Sequence, residues 1–215
     1  VSIALLTFTG DLRELPEFEE MLRLVLPNRE AYCARHGYEH WVWTGSSYLD
    51  ADEYYAVNRL RYLRDRFVED ERVELAWVLN VAAVITNPLV RIEEFVDDDA
   101  ADVFITRAPN GALHAASLVV RRSAWSIGWL SDMIERANTV HRDHPWHENQ
   151  AMIDSEAACG PKMRVLPHPS IDQLHSSRYR WPSDAQDWKP GDFVVTFSGL
   201  PLNVRVALVR EALAE

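Results

Sequence analysis

The sequence predicts one α/β domain over residues 1–215, and three observations carry that prediction. The stretch Trp77-Val78-Leu79-Asn80-Val81-Ala82-Ala83-Val84-Ile85-Thr86-Asn87-Pro88 is dominated by Val, Leu and Ile, as expected of a strand covered on both faces. Apolar runs of strand length alternate along the chain with segments whose apolar residues recur at helical spacing. A chain of 215 residues, 47% apolar and 26% charged, has enough material for one full core and argues against disorder.

The elements follow in order. Residues 1–8 make a first strand; the run Val1–Leu6 lacks a basic flank and is too short for a signal peptide. Thr9-Gly10-Asp11 is the loop after it. Residues 17–36 have helical spacing in Phe18, Met21, Leu22, Val25 and Tyr32, with a break expected near Leu26 because Pro27 falls inside the pattern. Gly37 is placed to end that helix, and Tyr38 to Thr44 form the second strand. Residues 53–68 carry Tyr54, Val57, Leu60, Leu63 and Phe67 on one helical stripe. Residues 75–86 form the central strand, closed by the Asn87-Pro88 turn signal. A short helix over 89–96, a solvated acidic turn at Asp97–Asp99 and a strand over 101–107 come next. Residues 123–138 are a helix capped by Ser123, and 162–166 a further strand. Pro167 to Pro190 is a long aromatic and basic loop, with His168, His175, Arg178, Tyr179, Arg180 and Trp181, expected on the acceptor side or as a lid. An amphipathic helix over 203–214 closes the chain.

Charge and composition narrow the function. A net charge of −11, from 33 acidic and 22 basic residues, disfavours nonspecific binding to nucleic acid or anionic membrane. No apolar run approaches the ~20 residues needed to span a bilayer. Cys33 and Cys159 have no metal-ligand spacing and are expected to be buried or half-buried free thiols, which fits a reducing cytosol. His141, His144, His147 and Glu148 cluster, but Pro145 breaks any single helical face, so zinc is not expected. In an open α/β sheet, ligands bind outside the carboxyl ends of the strands, which directs attention to the end of the central strand.

Five blocks in this sequence, one of them running from Pro145 to Gln150, resemble the galactosyl-, mannosyl- and xylosyltransferase family of yeast Golgi and plant xyloglucan enzymes. The central stretch is similar to that family's Trp-x-x-(Trp)-Leu-Asp-x-Asp-Ala-x-Ile-x-Asn-Pro. Asn28-Arg29-x-x-Tyr32-Cys33-x-x-His36-Gly37-Tyr38 resembles its Asn-(Lys/Arg)-x-x-Tyr-x-x-x-His-Gly-Tyr. Asn110-Gly111 with Arg121 and Ser123 matches part of the block that lines the donor sugar, while Ala108, His114 and Ala116 depart from it. Pro190 to Gly199 is similar to Gly-Asp-x-(Val/Ile)-x-His-x-x-Gly. The resemblance implies the GT-A glycosyltransferase fold, a Rossmann-like mixed sheet flanked by helices. It also implies transfer from a nucleotide-diphosphate sugar with retention of configuration.

The family holds a divalent metal through the two aspartates of Asp-x-Asp and the later histidine. Here Asn80, Ala82 and Thr196 stand at those places. Expectation is therefore a glycosyltransferase without a metal or other cofactor, acting on a small-molecule or glycan acceptor. The resemblance assigns the donor to Thr7, Thr9, Arg59, Asn80, Ala82, Asn110 and Arg121, with Arg59 the nearest match to a family lysine near the phosphates. It assigns the catalytic side to His114, Glu148 and Gln150, the last two from a Pro-Trp-x-(Asp/Glu)-Gln block. Family members are membrane-anchored in the Golgi; this chain has the length of the catalytic domain, so a soluble cytoplasmic protein is expected. Homo-oligomerisation is left open. Two other readings stand beside this one: a non-catalytic nucleotide-sugar-binding relative, and a GT-A protein repurposed for another biosynthetic reaction with Glu148 or a histidine as general base.

Overall fold

The computed structural model describes residues 1–9, 16–44, 55–96, 100–108, 111–167, 170–174 and 188–214. Its elements are β1 (Ile3–Phe8), α1 (Pro16–His36), β2 (Glu39–Trp43), α2 (Tyr55–Glu69), β3 (Leu75–Asn80), β4 (Ala83–Ile85), β5 (Val103–Arg107), β6 (Leu113–Arg121), α3 (Ala124–Asn138), α4 (His147–Cys159), β7 (Met163–Leu166), β8 (Val194–Thr196) and α5 (Leu202–Ala214). Six strands form one mixed sheet in the order β2-β1-β3-β6-β5-β7, and β4 pairs with β8 in a separate antiparallel ribbon. β1 runs parallel to β2 and β3, and β5 parallel to β7, while β6 is antiparallel to both β3 and β5. The carboxyl ends of five strands and the start of β6 therefore share one edge.

Strand alternation sends neighbouring side chains to opposite layers. Ala4, Leu6 and Phe8 pack with Val57, Leu60, Leu63 and Phe67 of α2 and with residues of α3 and α4. Ile3, Leu5, Trp77 and Leu79 pack on the other face with Tyr32 and Cys33 of α1 and with Phe193 and Val194. A third cluster joins α1 and α5 to the β4–β8 ribbon through Met21, Val25, Val84, Phe197 and Val209. Both cysteines are buried and free.

Three expectations change. The central strand is not continuous over 75–86: β3 stops at Asn80, the chain turns through Val81 and Ala82, and β4 leaves for the second ribbon. The turn is fixed locally, because the Asn80 Oδ1 accepts from the Ala82 N–H at 2.8 Å, as short amide side chains do in turns. Helix α1 runs unbroken through Pro27. Phe18, Met21, Leu22 and Val25 before the proline and Arg29, Tyr32 and Cys33 after it are all buried, and this packing outweighs the loss of one helical hydrogen bond. The short helix expected over 89–96 is a single 3-10 turn at Ile92–Phe95. The acidic run Asp97–Asp99 and most of the long loop, including all its singled-out aromatic and basic residues, lie outside the described residues.

The end of α1 follows its sequence signal. Gly37 adopts φ 73°, and the Tyr38 N–H closes back on the Cys33 carbonyl at 3.0 Å, a left-handed cap that glycine alone enters without strain. Farther back, Arg29 lies fully buried under the turn after β3. Its guanidinium donates to the carbonyls of Leu79 (3.1 Å), Asn80 and Ala83 (3.0 Å) and to the Thr7 hydroxyl (2.8 Å). Asn28 adds a two-point clip, donating to the Ile85 carbonyl at 2.9 Å and accepting from its N–H at 3.2 Å. One turn of α1 thus sets both the end of β3 and the start of β4.

Arg29→Met keeps the length of the stem but leaves three carbonyls without a donor. Each orphaned buried acceptor costs about 1–3 kcal/mol, offset in part by relief of the buried charge. A net loss of about 2–4 kcal/mol is expected in chemical denaturation. An unchanged midpoint would show that the clamp does not hold the turn.

Candidate active site at the carboxyl edge of the sheet

Phe8 and Asn80 are register partners at the ends of β1 and β3, and the Val81 N–H donates to the Phe8 carbonyl at 3.2 Å. Three positions named by the resemblance as metal-binding meet just beyond them. Ala83 pairs with Thr196, and the Phe197 N–H donates to the Ala82 carbonyl at 2.9 Å, so Asn80, Ala82 and Thr196 border one turn. Their side chains do not fit a divalent cation, which is held by several hard oxygen ligands, commonly carboxylates. The Asn80 oxygen already accepts from Ala82, Ala82 offers a buried methyl group, and the Thr196 hydroxyl is hydrogen-bonded to Ser198 at 3.1 Å. Among the described residues, no group of three His, Cys, Asp or Glu side chains converges in a metal-holding arrangement.

One buried ion pair stands on the helical side of this edge. Arg59 reaches up from α2, and its Nη2 meets the Glu148 Oε1 at 2.9 Å, with the two side chains 3% and 8% exposed. The Arg59 guanidinium lies over the Phe8 ring, 4.6 Å from its centroid. Burial raises the Glu148 carboxyl above its usual range, and the neighbouring Arg59 charge works against that rise. The second oxygen, Oε2, is buried without a partner among the described residues. Asn149 fixes the position of this acid: its Oδ1 accepts from the Ala115 N–H at 3.1 Å and its Nδ2 donates to the Leu113 carbonyl at 3.0 Å, which ties the first turn of α4 to the start of β6. His147, next to Glu148, is the one non-glycine among the described residues with positive φ, at 32°; backbone strain of this kind concentrates at functional sites.

The predicted site residues divide. Thr7, Thr9, Asn80, Ala82, Arg59, Glu148 and His114 all fall at this edge or immediately beneath it. Thr7 is fully buried and engaged: it accepts from Arg29 and lies 2.8 Å from His40 Nε2. Thr9 is 1% exposed, and its hydroxyl has no partner among the described residues. His114 holds Asp172 through Nδ1. Gln150 is turned along its own helix, donating to Asp154 at 2.7 Å. Arg121 stands apart, because its register partner is Leu75 at the opposite end of β3. There it donates to the carbonyls of Ala101 and Val96, both at 3.3 Å. Five residues of strand, roughly 17 Å at 3.3 Å per residue, separate it from the turn. Asn110 lies outside the described residues; its neighbour Gly111, with φ 87°, turns the chain between β5 and β6. Of the histidine cluster, His141 contacts Asp154 at 3.1 Å and His144 packs edge-on against both His141 and Trp146.

Sequence reasoning missed Arg29, His40, Asn149 and Asp172 as members of the site. Arg29 had a legible signal, since it sits four residues after Val25 on the buried stripe of α1 and an arginine on such a stripe needs acceptors. Asp172 had none, because it belongs to a segment without periodicity.

Comparisons with known proteins agree with this geometry. Residues 2–100 match the profile of the galactosyl transferase GMA12/MNN10 family. A crystal structure of a glycosyltransferase involved in the glycosylation of the major capsid of PBCV-1 is similar with a TM-score of 0.75 at 15% identity, covering 98% of this chain and 100% of that one. Mouse xyloside xylosyltransferase 1, in its apo form, is similar with a TM-score of 0.53 at 10% identity, over 94% and 100% of the two chains. At these identities the likeness establishes the fold, which is of the GT-A type. No curated protein sequence matches the chain at a significant level. No helix among the described residues is long and apolar enough to cross a membrane.

The Thr7–His40 contact predicts a pH dependence. Burial, with help from the Arg29 charge, lowers the folded His40 to about 4 from the ordinary 6.5. Between those values the unfolded chain binds a proton that the folded chain does not, so stability is full above about 6.5 and falls as pH drops toward 4. His40→Gln, which needs no proton, should flatten the part of the denaturation profile between pH 7 and 5. An equally steep loss in that variant would assign the acid sensitivity to other groups.

Proposed function

We propose a sugar-nucleotide-dependent glycosyltransferase that works without a divalent metal, a reading supported by the match of residues 2–100 to the profile of the galactosyl transferase GMA12/MNN10 family. The profile match over that stretch and the GT-A fold over the chain both support the glycosyltransferase class. The finer reading has transfer proceeding with retention of configuration, onto a small-molecule or glycan acceptor, in the cytoplasm.

One observation supports the metal-free reading above the others. The three positions that would hold the cation come together without a single carboxylate, while two buried guanidiniums, Arg29 and Arg59, flank the strand ends that border them. A departing nucleotide diphosphate must be stabilised by fixed charge and aimed N–H donors when no cation does so. Arg59 presents its guanidinium from α2, and Glu148 holds it in place through Oε1. Arg29 contributes from beneath, through the carbonyls it polarises at the turn.

Calorimetric titration with a panel of nucleoside diphosphates, in EDTA and then in manganese, tests this reading. Binding that EDTA does not change is expected. An Arg59→Met, Glu148→Gln double variant, which avoids leaving a buried charge unpaired, should lose about 10–100-fold in affinity, the worth of one charged hydrogen bond to phosphate. Binding that appears only with manganese would overturn metal independence. Absence of binding in both conditions would overturn the donor site itself.

A further inference from the structure

The same edge of the sheet carries a second polar group on its other face. Leu113 and Ala115 of β6 point into the layer shared with Phe8, so His114 between them points to the opposite layer. There its Nδ1 meets the Oδ2 of Asp172. The Asp172 side chain is 1% exposed and that of His114 is 21% exposed. A carboxylate only accepts, so Nδ1 carries the proton and Nε2, the other ring nitrogen, is left as the acceptor.

Asp172 is brought there by the arm in which the resemblance places a metal-binding histidine. The Thr196 N–H donates to the Gln173 carbonyl at 2.7 Å, Leu174 bridges to Thr196, and the Trp188 N–H donates to the Leu174 carbonyl at 3.2 Å. β8 thus pins the segment 170–174 beside β6. The Asp172 Oδ1, the Ser170 Oγ in the same segment and the Oγ1 of Thr106, the register partner of His114, are buried without partners among the described residues. Arg107, the charged residue at this end of β5, is turned away to Glu156 and to the Gly111 carbonyl.

We propose that His114 and Asp172 form the proton-accepting pair for the acceptor hydroxyl, His114 as the catalytic residue and Asp172 as its positioning residue. This rests on the glycosyltransferase reading above and names the group that takes the proton. As the acceptor oxygen bonds to the sugar carbon C1, its O–H proton passes to His114 Nε2. The C1–O bond to the diphosphate breaks, and the diphosphate leaves with that electron pair. The imidazolium is stabilised by the Asp172 carboxylate until it returns the proton to solvent. With retention, as proposed above, the acceptor enters on the face from which the diphosphate leaves. A positioned base contributes about 10²–10⁴-fold.

The test combines a tautomer measurement with kinetics on the full chain. Side-chain ¹⁵N spectra of wild type should show the neutral His114 ring protonated at Nδ1, and Asp172→Asn should mix the tautomers. His114→Gln should bind nucleoside diphosphates within twofold of wild type yet lose about 100-fold or more in transfer from sugar nucleotides. Asp172→Asn should lose at least about 10-fold in kcat with KM for the donor unchanged, and Asp172→Glu should recover part of it. A wild-type ring protonated at Nε2, or full turnover by His114→Gln, would overturn the pair. If wild type fails to bind nucleoside diphosphates, the donor reading falls separately, and the tautomer alone decides whether Asp172 orients His114.

Discussion

The structure depends on a buried cation. Arg29 sits in a helix face otherwise lined by Met21, Val25 and Tyr32, and it spends four N–H donors on three carbonyls and one hydroxyl. Burial lowers its guanidinium to about 9, well below the ordinary value, and among the described residues no acid pairs with it. Such a group persists only where the acceptors around it are placed for it. Those acceptors are the end of β1, the end of β3 and the start of β4. The charge therefore fixes how the chain leaves the central strand, and with it the turn on which the Asn80, Ala82 and Thr196 positions meet.

Much of this was legible in the sequence. The apolar run from Trp77 named the central strand, the stripe Val57, Leu60, Leu63 and Phe67 named α2, and Ser123 and Gly37 marked a helix start and a helix end. The errors share a cause. Periodicity reports burial and not pairing partner, so the 75–86 run read as one strand although its two halves belong to different sheets. Proline propensity reports local cost, so α1 read as broken although packing on both sides of Pro27 outweighs that cost. Within the site, motif resemblance put Glu148 and Asn80 at the edge together. It also grouped Arg121 with them, because a motif spans both ends of β6 while the sheet separates those ends. Asp172 was invisible for the opposite reason: its partner, His114, is 58 residues away and nothing periodic links the two.

The site is two-layered because the sheet is. Arg59 and Glu148 occupy the side covered by α2 and α4, whereas His114 and Asp172 occupy the side covered by the arm through β8. Asn149 is the joint, since its amide ties the helix bearing Glu148 to the backbone on both sides of His114. A shift of α4 would move the ion pair and β6 together. Precise placement of two polar groups by one shared backbone contact is what a reaction needing donor and acceptor at fixed geometry requires.

The joint loss of three metal ligands also has an electrostatic logic. Two aspartates and a divalent cation sum to no net charge, as does the set of Asn80, Ala82 and Thr196. Removing the acids together with the cation leaves the net charge above Arg29 unchanged; in the proposed donor site, one acid kept without the metal would place an anion beside the diphosphate. What disappears is the concentrated +2 charge beside the phosphates. At an effective dielectric near 20, a unit charge within about 8 Å contributes about 2 kcal/mol per opposing charge. In the metal-free donor site proposed above, the guanidiniums flanking the strand ends would recover part of the cation's contribution, Arg59 less than Arg29 because Glu148 pairs with it, and the remainder would fall to N–H donors aimed at the leaving group. The buried arginines below the turn and the absent carboxylates above it are two sides of one charge balance.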